Sequence, residues 1–220
     1  MKIVIVGGAG MVGQKLAQNL AAAGRIGTHD VSNLELFDVV SASEPENTNV
    51  PVTMRTGDLS SEPVAAELLN DRPDVIFHLA AIVSGEAEAD FDKGYRINLD
   101  GTRYLFEAIA RTPDYSPRVV FTSSIAVFGA PFPDAIGDEF HTTPLTSYGT
   151  QKAIGELLLS DFSRRGMMDG IGIRLPTICV RPGQPNKAAS GFFSNIIREP
   201  LAGKEAVLPV SEDVRHWHAS

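Results

Sequence analysis

The chain opens on a β-branched run, Lys2-Ile3-Val4-Ile5-Val6. It passes directly into Gly7-Gly8-Ala9-Gly10-Met11-Val12-Gly13 and then into a helical pattern over residues 12–23. Glycines at such a point allow a tight strand-to-helix turn, and a strand handing straight to a helix points to a next strand that returns parallel to the first. The rest of the chain repeats this alternation. Strands are expected at residues 2–6, 34–39, 53–55, 75–79, 118–123 and 171–173, and helices at 12–23, 62–69, 93–111 and 147–162. Their β-branched residues read as buried parallel strands rather than a half-wet antiparallel sheet. The fold class that follows is α/β, a doubly wound parallel sheet. Beyond residue 175 the texture turns to Pro176, Arg181-Pro182-Gly183-Gln184-Pro185 and a helical pattern over 192–198. A sheet domain over residues 1–175 and the start of a small C-terminal substrate lobe over 176–220 are therefore expected. The lobe is expected to be incomplete, because residues 214–220 carry no closing element.

Composition excludes several classes. A net charge of −8 in 220 residues lacks the basic footprint of a nucleic-acid binder. The single cysteine, Cys179, rules out an internal disulfide and a cysteine-cluster metal site. No metal is expected. The apolar run before Gly7 is too short for a signal peptide, and no run reaches membrane-spanning length. A soluble cytoplasmic protein with no membrane partner is the expectation.

The spacing Gly7-x-x-Gly10-x-x-Gly13 suits close backbone approach to a pyrophosphate, with the N–H groups around Met11 and Val12 at the helix start facing the phosphates. Alone it would also fit a glycine-rich turn without a ligand. Asp38, roughly 25 residues beyond Gly13, closes the second strand where an adenosine-ribose carboxylate belongs. A 2′-phosphate would be repelled there, and Val39-Val40 provide no arginine to offset it, which favours NAD over NADP. Asp58 and Leu59, after the third strand, fit the adenine end. Ala80, after the fourth strand, leaves room for the dinucleotide. His78 beside it reads as a core histidine.

Tyr148 and Lys152 stand four apart and project from one face of a helix. A phenol is a poor base until a neighbouring ammonium stabilises its phenolate. Lys152 can also hold the nicotinamide ribose hydroxyls, so Tyr148 and Lys152 are candidates for cofactor binding as well as catalysis. Ser123 and Ser124 end the fifth strand, where a hydroxyl can orient a substrate oxygen. The ordered set of glycine triad, Asp38, Ser124, Tyr148 and Lys152 is hard to obtain by accident.

On these residues the chain resembles the extended short-chain dehydrogenase/reductase (NAD-dependent epimerase/dehydratase) family along essentially its whole length. The resemblance implies a Rossmann fold, NAD, Tyr148 as general base, Lys152 as its activator and Ser124 as the substrate-orienting hydroxyl. Ser124 is preferred to Ser123 by its spacing to Val127-Phe128-Gly129. Asn98 matches an asparagine of the family's central helix, with a structural or proton-relay role. A homodimer through the helices at 93–111 and 147–162 is implied by the resemblance only.

Most relatives act on nucleotide-sugars, but Phe128 stands at their usual tyrosine and Thr177 at their sugar-contacting asparagine. Residues 82–91, 174–183 and 187–193 instead resemble D-erythronate dehydrogenases, which implies oxidation of the C2 hydroxyl of a C4 sugar acid. Ser84, Ser124, Thr177 and Ser190 are the substrate-site candidates. Arg174, Lys187 and Arg215 are further candidates for holding a carboxylate. A nucleotide-sugar epimerase or dehydratase with tightly bound NAD is the alternative, and a non-catalytic dinucleotide sensor a third reading.

Overall fold

The computed structural model describes residues 1–180 and 188–220. In chain order the elements are β1 (Lys2–Val6), α1 (Met11–Ala23), β2 (Arg25–Ile26), β3 (His29–Asp30), β4 (Asn33–Asp38), β5 (Val52–Thr56), α2 (Glu62–Glu67), β6 (Val75–His78), α3 (Ser84–Ala89) and α4 (Phe91–Gly94). A π turn (Tyr95–Asp100) then leads into α5 (Gly101–Arg111), β7 (Arg118–Ser124) and a 3-10 turn (Ile125–Val127). After these come α6 (Ser147–Arg164), β8 (Asp169–Leu175), β9 (Thr177–Ile178), a second 3-10 turn (Ala189–Gly191), α7 (Phe192–Leu201) and β10 (His218–Ala219).

Six strands form one parallel sheet in the order β5-β4-β1-β6-β7-β8. Strand order reverses between β1 and β6, so a crevice opens beyond their carboxyl ends, where doubly wound sheets bind ligands. The period of two along β1 explains why the centre of the sheet is buried on both sides, whereas the edge strands β5 and β8, expected as buried, are largely exposed because each has a neighbour on one side only. Val4 and Val6 enter a core with Phe37, Ile76, Phe106 and Phe121. Ile3 and Ile5 enter the opposite core with Leu20, Leu34 and Leu36 beneath α1. The expected α/β doubly wound parallel sheet is what the chain forms.

Three departures from the sequence expectation have local causes. Gly24 (φ 67°) caps α1, and the hairpin of β2 and β3 turns on Gly27 (φ 57°) in a stretch too short and polar to read as strands. The single helix expected over 93–111 is α4, the π turn and α5 in succession. Residues 84–89, which lie outside the expected helices, form α3. Beyond β8, β9 and β10 pair parallel in a separate two-stranded sheet that brings the last residues back against Thr177 and Ile178.

Candidate active site

The glycine turn is built by contacts that leave no room for side chains. Gly7 has φ 91°, and a Cβ there would lie 2.6 Å from the Ala80 nitrogen. The first turn is thereby pressed against the end of β6. A Cβ on Gly13 would lie 2.2 Å from the Gly7 carbonyl oxygen, which fixes α1 against the turn. Gly10 differs: the nearest atom to its added Cβ is the Gly7 oxygen, at 3.3 Å. Its open side faces away from packed protein, as a surface awaiting a phosphate does. Gly10 is also the N-cap of α1, whose first N–H groups, those of Met11 and Val12 among them, have no partner within a helix. An anion suits that end.

Asp38 is drawn into the same turn. One oxygen of its carboxylate accepts from Ala9 N–H at 3.0 Å and the other from Val39 N–H at 2.7 Å. A carboxylate has about four acceptor positions, so two ribose hydroxyls can still be received. Asp58 carries Ser60 on one oxygen (2.6 Å from the hydroxyl) and Arg96 on the other (3.1 Å). Burial works against its charge, but these bonds outweigh it and hold the carboxyl below its ordinary range. Leu59 is buried behind it. These residues fit a dinucleotide with an unphosphorylated ribose.

Tyr148 and Lys152 lie on the first turns of α6. Thr146 caps the helix by accepting from Gly149 N–H at 3.0 Å, and Glu88 of α3 accepts from Ser147 N–H. A Cβ on Gly149 would lie 2.1 Å from the Ala126 carbonyl oxygen. Close approach there brings the start of α6 onto the turn that follows Ser124. Ser124 accepts from Ala126 N–H at 3.1 Å, which leaves its hydroxyl proton to donate elsewhere. Ser123 is 3% exposed, whereas Ser124 is half-buried.

Lys152 is 3% exposed. Its Nζ donates to the Thr122 carbonyl at 2.7 Å and sits 4.8 Å from the Phe121 ring centre and 5.8 Å from that of Tyr148. Burial pushes the ammonium down from its ordinary 10.5 to about 8. The folded state therefore releases this proton first, and between pH 8 and 10.5 the unfolded chain binds more protons. Stability from this group rises with pH across that window, by on the order of 3 kcal/mol. In Lys152→Met this rise should vanish. Denaturant unfolding at pH 7.5 and 10.5 for both proteins would show it, and parallel behaviour of the two would contradict a buried ammonium.

The substrate candidates are distributed unevenly. Ser84 starts α3, and its hydroxyl accepts from Ala189 N–H at 3.1 Å, joining it to the turn that holds Ser190. Ser84 and Glu88, four apart on α3, thus tie that turn to the start of α6. Thr177 is 6% exposed, and its hydroxyl pairs with His216 Nε2 at 2.8 Å. Any contact it makes with a ligand would be shared with His216. Arg174, expected as a possible carboxylate partner, is instead bidentate to Glu156 (2.9 and 2.8 Å) and stacked over Phe128 at 4.9 Å. Arg215 is exposed, and Lys187 lies outside the described residues.

The sequence alone does not single out His216 and Trp217. His216 stacks on Phe193 (4.8 Å, 12°), and Trp217 lies 6.3 Å from Phe128. The run His216-Trp217-His218-Ala219 is the available signal, a short aromatic strand beside the catalytic end of the sheet. Among the described residues no group of histidine, cysteine or carboxylate side chains could hold a metal, and no helix is long and apolar enough to cross a membrane.

The model of the NAD dependent epimerase/dehydratase family matches residues 3–218. The chain is 48% identical over 221 residues to D-erythronate dehydrogenase of Cupriavidus necator, covering 99% of this chain and 67% of that protein. It is 48% identical over 220 residues to D-erythronate dehydrogenase of Haemophilus influenzae, covering 68% of that protein. Among solved structures it is similar to a nucleoside-diphosphate-sugar epimerase from Agrobacterium tumefaciens, with 68% identity and a TM-score of 0.94, and covers 65% of that chain. It is also similar to UDP-glucose 4-epimerase from Brucella ovis in complex with NAD (27% identity, TM-score 0.68, 80% of this chain and 52% of that one). The chain therefore spans about two thirds of the length of its more similar relatives.

Proposed function

Because this chain belongs to the NAD-dependent epimerase/dehydratase family, we propose that it is the NAD-dependent dehydrogenase of a small sugar acid. The reaction that suits it best is oxidation of the C2 hydroxyl of D-erythronate to 2-keto-D-erythronate. The observation that carries this reading is the buried ammonium of Lys152 beside Tyr148, at the carboxyl end of a sheet whose glycine turn and Asp38 suit NAD. In this reading residues 1–175 hold the cofactor, and residues 176–220 begin the substrate lobe.

NAD, when bound, supplies the acceptor for the hydride that leaves C2. Asp38, the glycine turn and the start of α1 hold its ribose and pyrophosphate, with Asp58, Leu59 and Ala80 beside it. Tyr148 as phenolate accepts the C2 hydroxyl proton at Oη while the C2–H bond breaks and the carbonyl forms. The Lys152 charge stabilises that phenolate before the transfer. Ser124 donates a hydrogen bond to the substrate oxygen and keeps it in line with Tyr148. The linked Ser84 and Ser190 turns, with Thr177 and His216 behind them, are the proposed walls of the sugar-acid pocket.

Nucleotide-sugar epimerisation is the second reading, favoured by the 68% identity to the nucleoside-diphosphate-sugar epimerase of Agrobacterium tumefaciens. Against it stand Phe128 in place of tyrosine and Thr177, whose hydroxyl is occupied by His216. Incubation with NAD and D-erythronate should produce NADH in proportion to sugar acid consumed. Absence of NADH with D-erythronate and other C4 sugar acids, together with turnover of a UDP-sugar, would overturn the dehydrogenase reading. A cytoplasmic homodimer through the faces of α5 and α6 completes the proposal. Leu157, 72% exposed on α6, supports it as an apolar side chain such an interface would cover.

A further inference from the structure

Lys152 is held by more than its own helix. Its Nζ donates to the Thr122 carbonyl (2.7 Å), and the Thr122 hydroxyl donates to the His78 carbonyl (3.1 Å). The His78 ring meets the Thr102 hydroxyl (2.9 Å), and that hydroxyl donates to the Asn98 carbonyl (2.7 Å). The Asn98 amide donates in turn to the Gln151 side chain (2.8 Å), the residue next to Lys152 on α6. All six residues are buried, none more than 9% exposed. The bonds run from α6 through β7, β6, α5 and the π turn and return to α6.

Proton counting fixes the direction at His78. Thr102 has one hydroxyl proton, and it is committed to Asn98. Its oxygen must then accept from Nε2–H of a neutral imidazole, leaving Nδ1 as a bare lone pair. That nitrogen has no hydrogen-bond partner among the described residues. Burial, with the Lys152 charge second, pushes the imidazole down to about 3, so the ring stays neutral. Asn98 also clamps Ile82, accepting from its N–H at 2.9 Å, so the ring is anchored to the strand end that borders the cofactor crevice.

We propose that Thr102 and His78 are positioning residues for Lys152, holding its ammonium in place through this closed ring of hydrogen bonds. The proposal rests on the reading of Lys152 as the activator of Tyr148. Both are 1% exposed, so their action is assigned through Lys152 rather than directly. Their part is to fix the Thr122 peptide, and with it the point at which the Lys152 charge lies beside Tyr148. Displacement of such a group by a fraction of an ångström is costly to rate.

Thr102→Val keeps the shape and removes both hydrogen bonds, whereas Thr102→Ser keeps them. The valine variant should lose about tenfold in kcat with KM for NAD within about twofold, and the serine variant should regain most of it. A valine variant with lowered Tm but unchanged kcat would overturn the proposal, because it would make the ring merely structural. Two further readouts need no substrate. Nitrogen-15 NMR should find His78 as the Nε2–H tautomer, without titration between about pH 5.5 and 8.5. Reductive methylation of Lys152, followed by mass spectrometry, should be faster in the valine variant and restored in the serine variant. An Nδ1–H tautomer, a titrating His78 or equal methylation rates would each overturn the ring. Failure of the wild-type protein to oxidise any C4 sugar acid would sink the dehydrogenase reading alone, with the spectrum and the methylation still deciding the ring.

Discussion

Tyr148→Phe should lower kcat for sugar-acid oxidation by about 10³-fold, with the affinity for NAD within about twofold of wild type. The change removes one oxygen and keeps the ring. The Lys152 ammonium lies 5.8 Å from that ring and 4.8 Å from Phe121, and its hydrogen bond goes to the Thr122 carbonyl. The lysine thus keeps its site in the variant, and the proton acceptor is lost. A loss of 10³ corresponds to about 4 kcal/mol of transition-state stabilisation, within reach of a single positioned base. Steady-state rates of NADH formation, with NAD binding followed separately by fluorescence, would measure both halves. A variant with most of its activity intact would show that another group takes the proton. Binding of NAD by both proteins with no sugar-acid oxidation by either would favour the sensor reading instead.

The parts of the site that can be read from the sequence are those written in local spacing. The glycine triad follows a strand of five residues, Asp38 ends a strand, and Tyr148 and Lys152 share a helix face. Each depends on a neighbour a few positions away. The parallel order of the sheet is legible for the same reason, through β-branched runs that alternate with helical patterns. What is not legible depends on distant residues. Arg174 reads as a free cation until Glu156, eighteen positions away on α6, takes both prongs of its guanidinium. Thr177 reads as a substrate contact of its own, and only the fold shows its hydroxyl already paired with His216 beside β10. His78 reads as a satisfied core histidine. It is in the core, with one ring nitrogen paired and the other unpartnered among the described residues. Residues 84–89 lie outside the expected helices, and the weak helix former Gly85 is overridden when Glu88 docks on α6 and Ser84 on Ala189.

Gly13→Ala and Gly10→Ala separate packing from ligand approach within one turn. Alanine at 13 places a methyl 2.2 Å from the Gly7 oxygen and 3.0 Å from the Gly8 Cα, both backbone atoms that no side-chain rotation can clear. Alanine is the better helix former by about 1 kcal/mol, but overpacking against fixed backbone costs about 1–3 kcal/mol. The overlap is deep enough that the second effect should win. The helix start must withdraw from the turn, the N–H groups at Met11 and Val12 lose their aim, and NAD affinity should fall by about 100-fold. Tm should fall by about 5 °C. At Gly10 the added methyl meets only the Gly7 oxygen, at 3.3 Å, so Tm should stay within about 1 °C of wild type. Its methyl instead occupies the open side of the turn, where a pyrophosphate would lie, and affinity should fall by about tenfold or more. Thermal unfolding without ligand and calorimetric titration with NAD would read the two effects separately. Full NAD affinity in Gly10→Ala would mean that the open side of this turn is not where the phosphates bind.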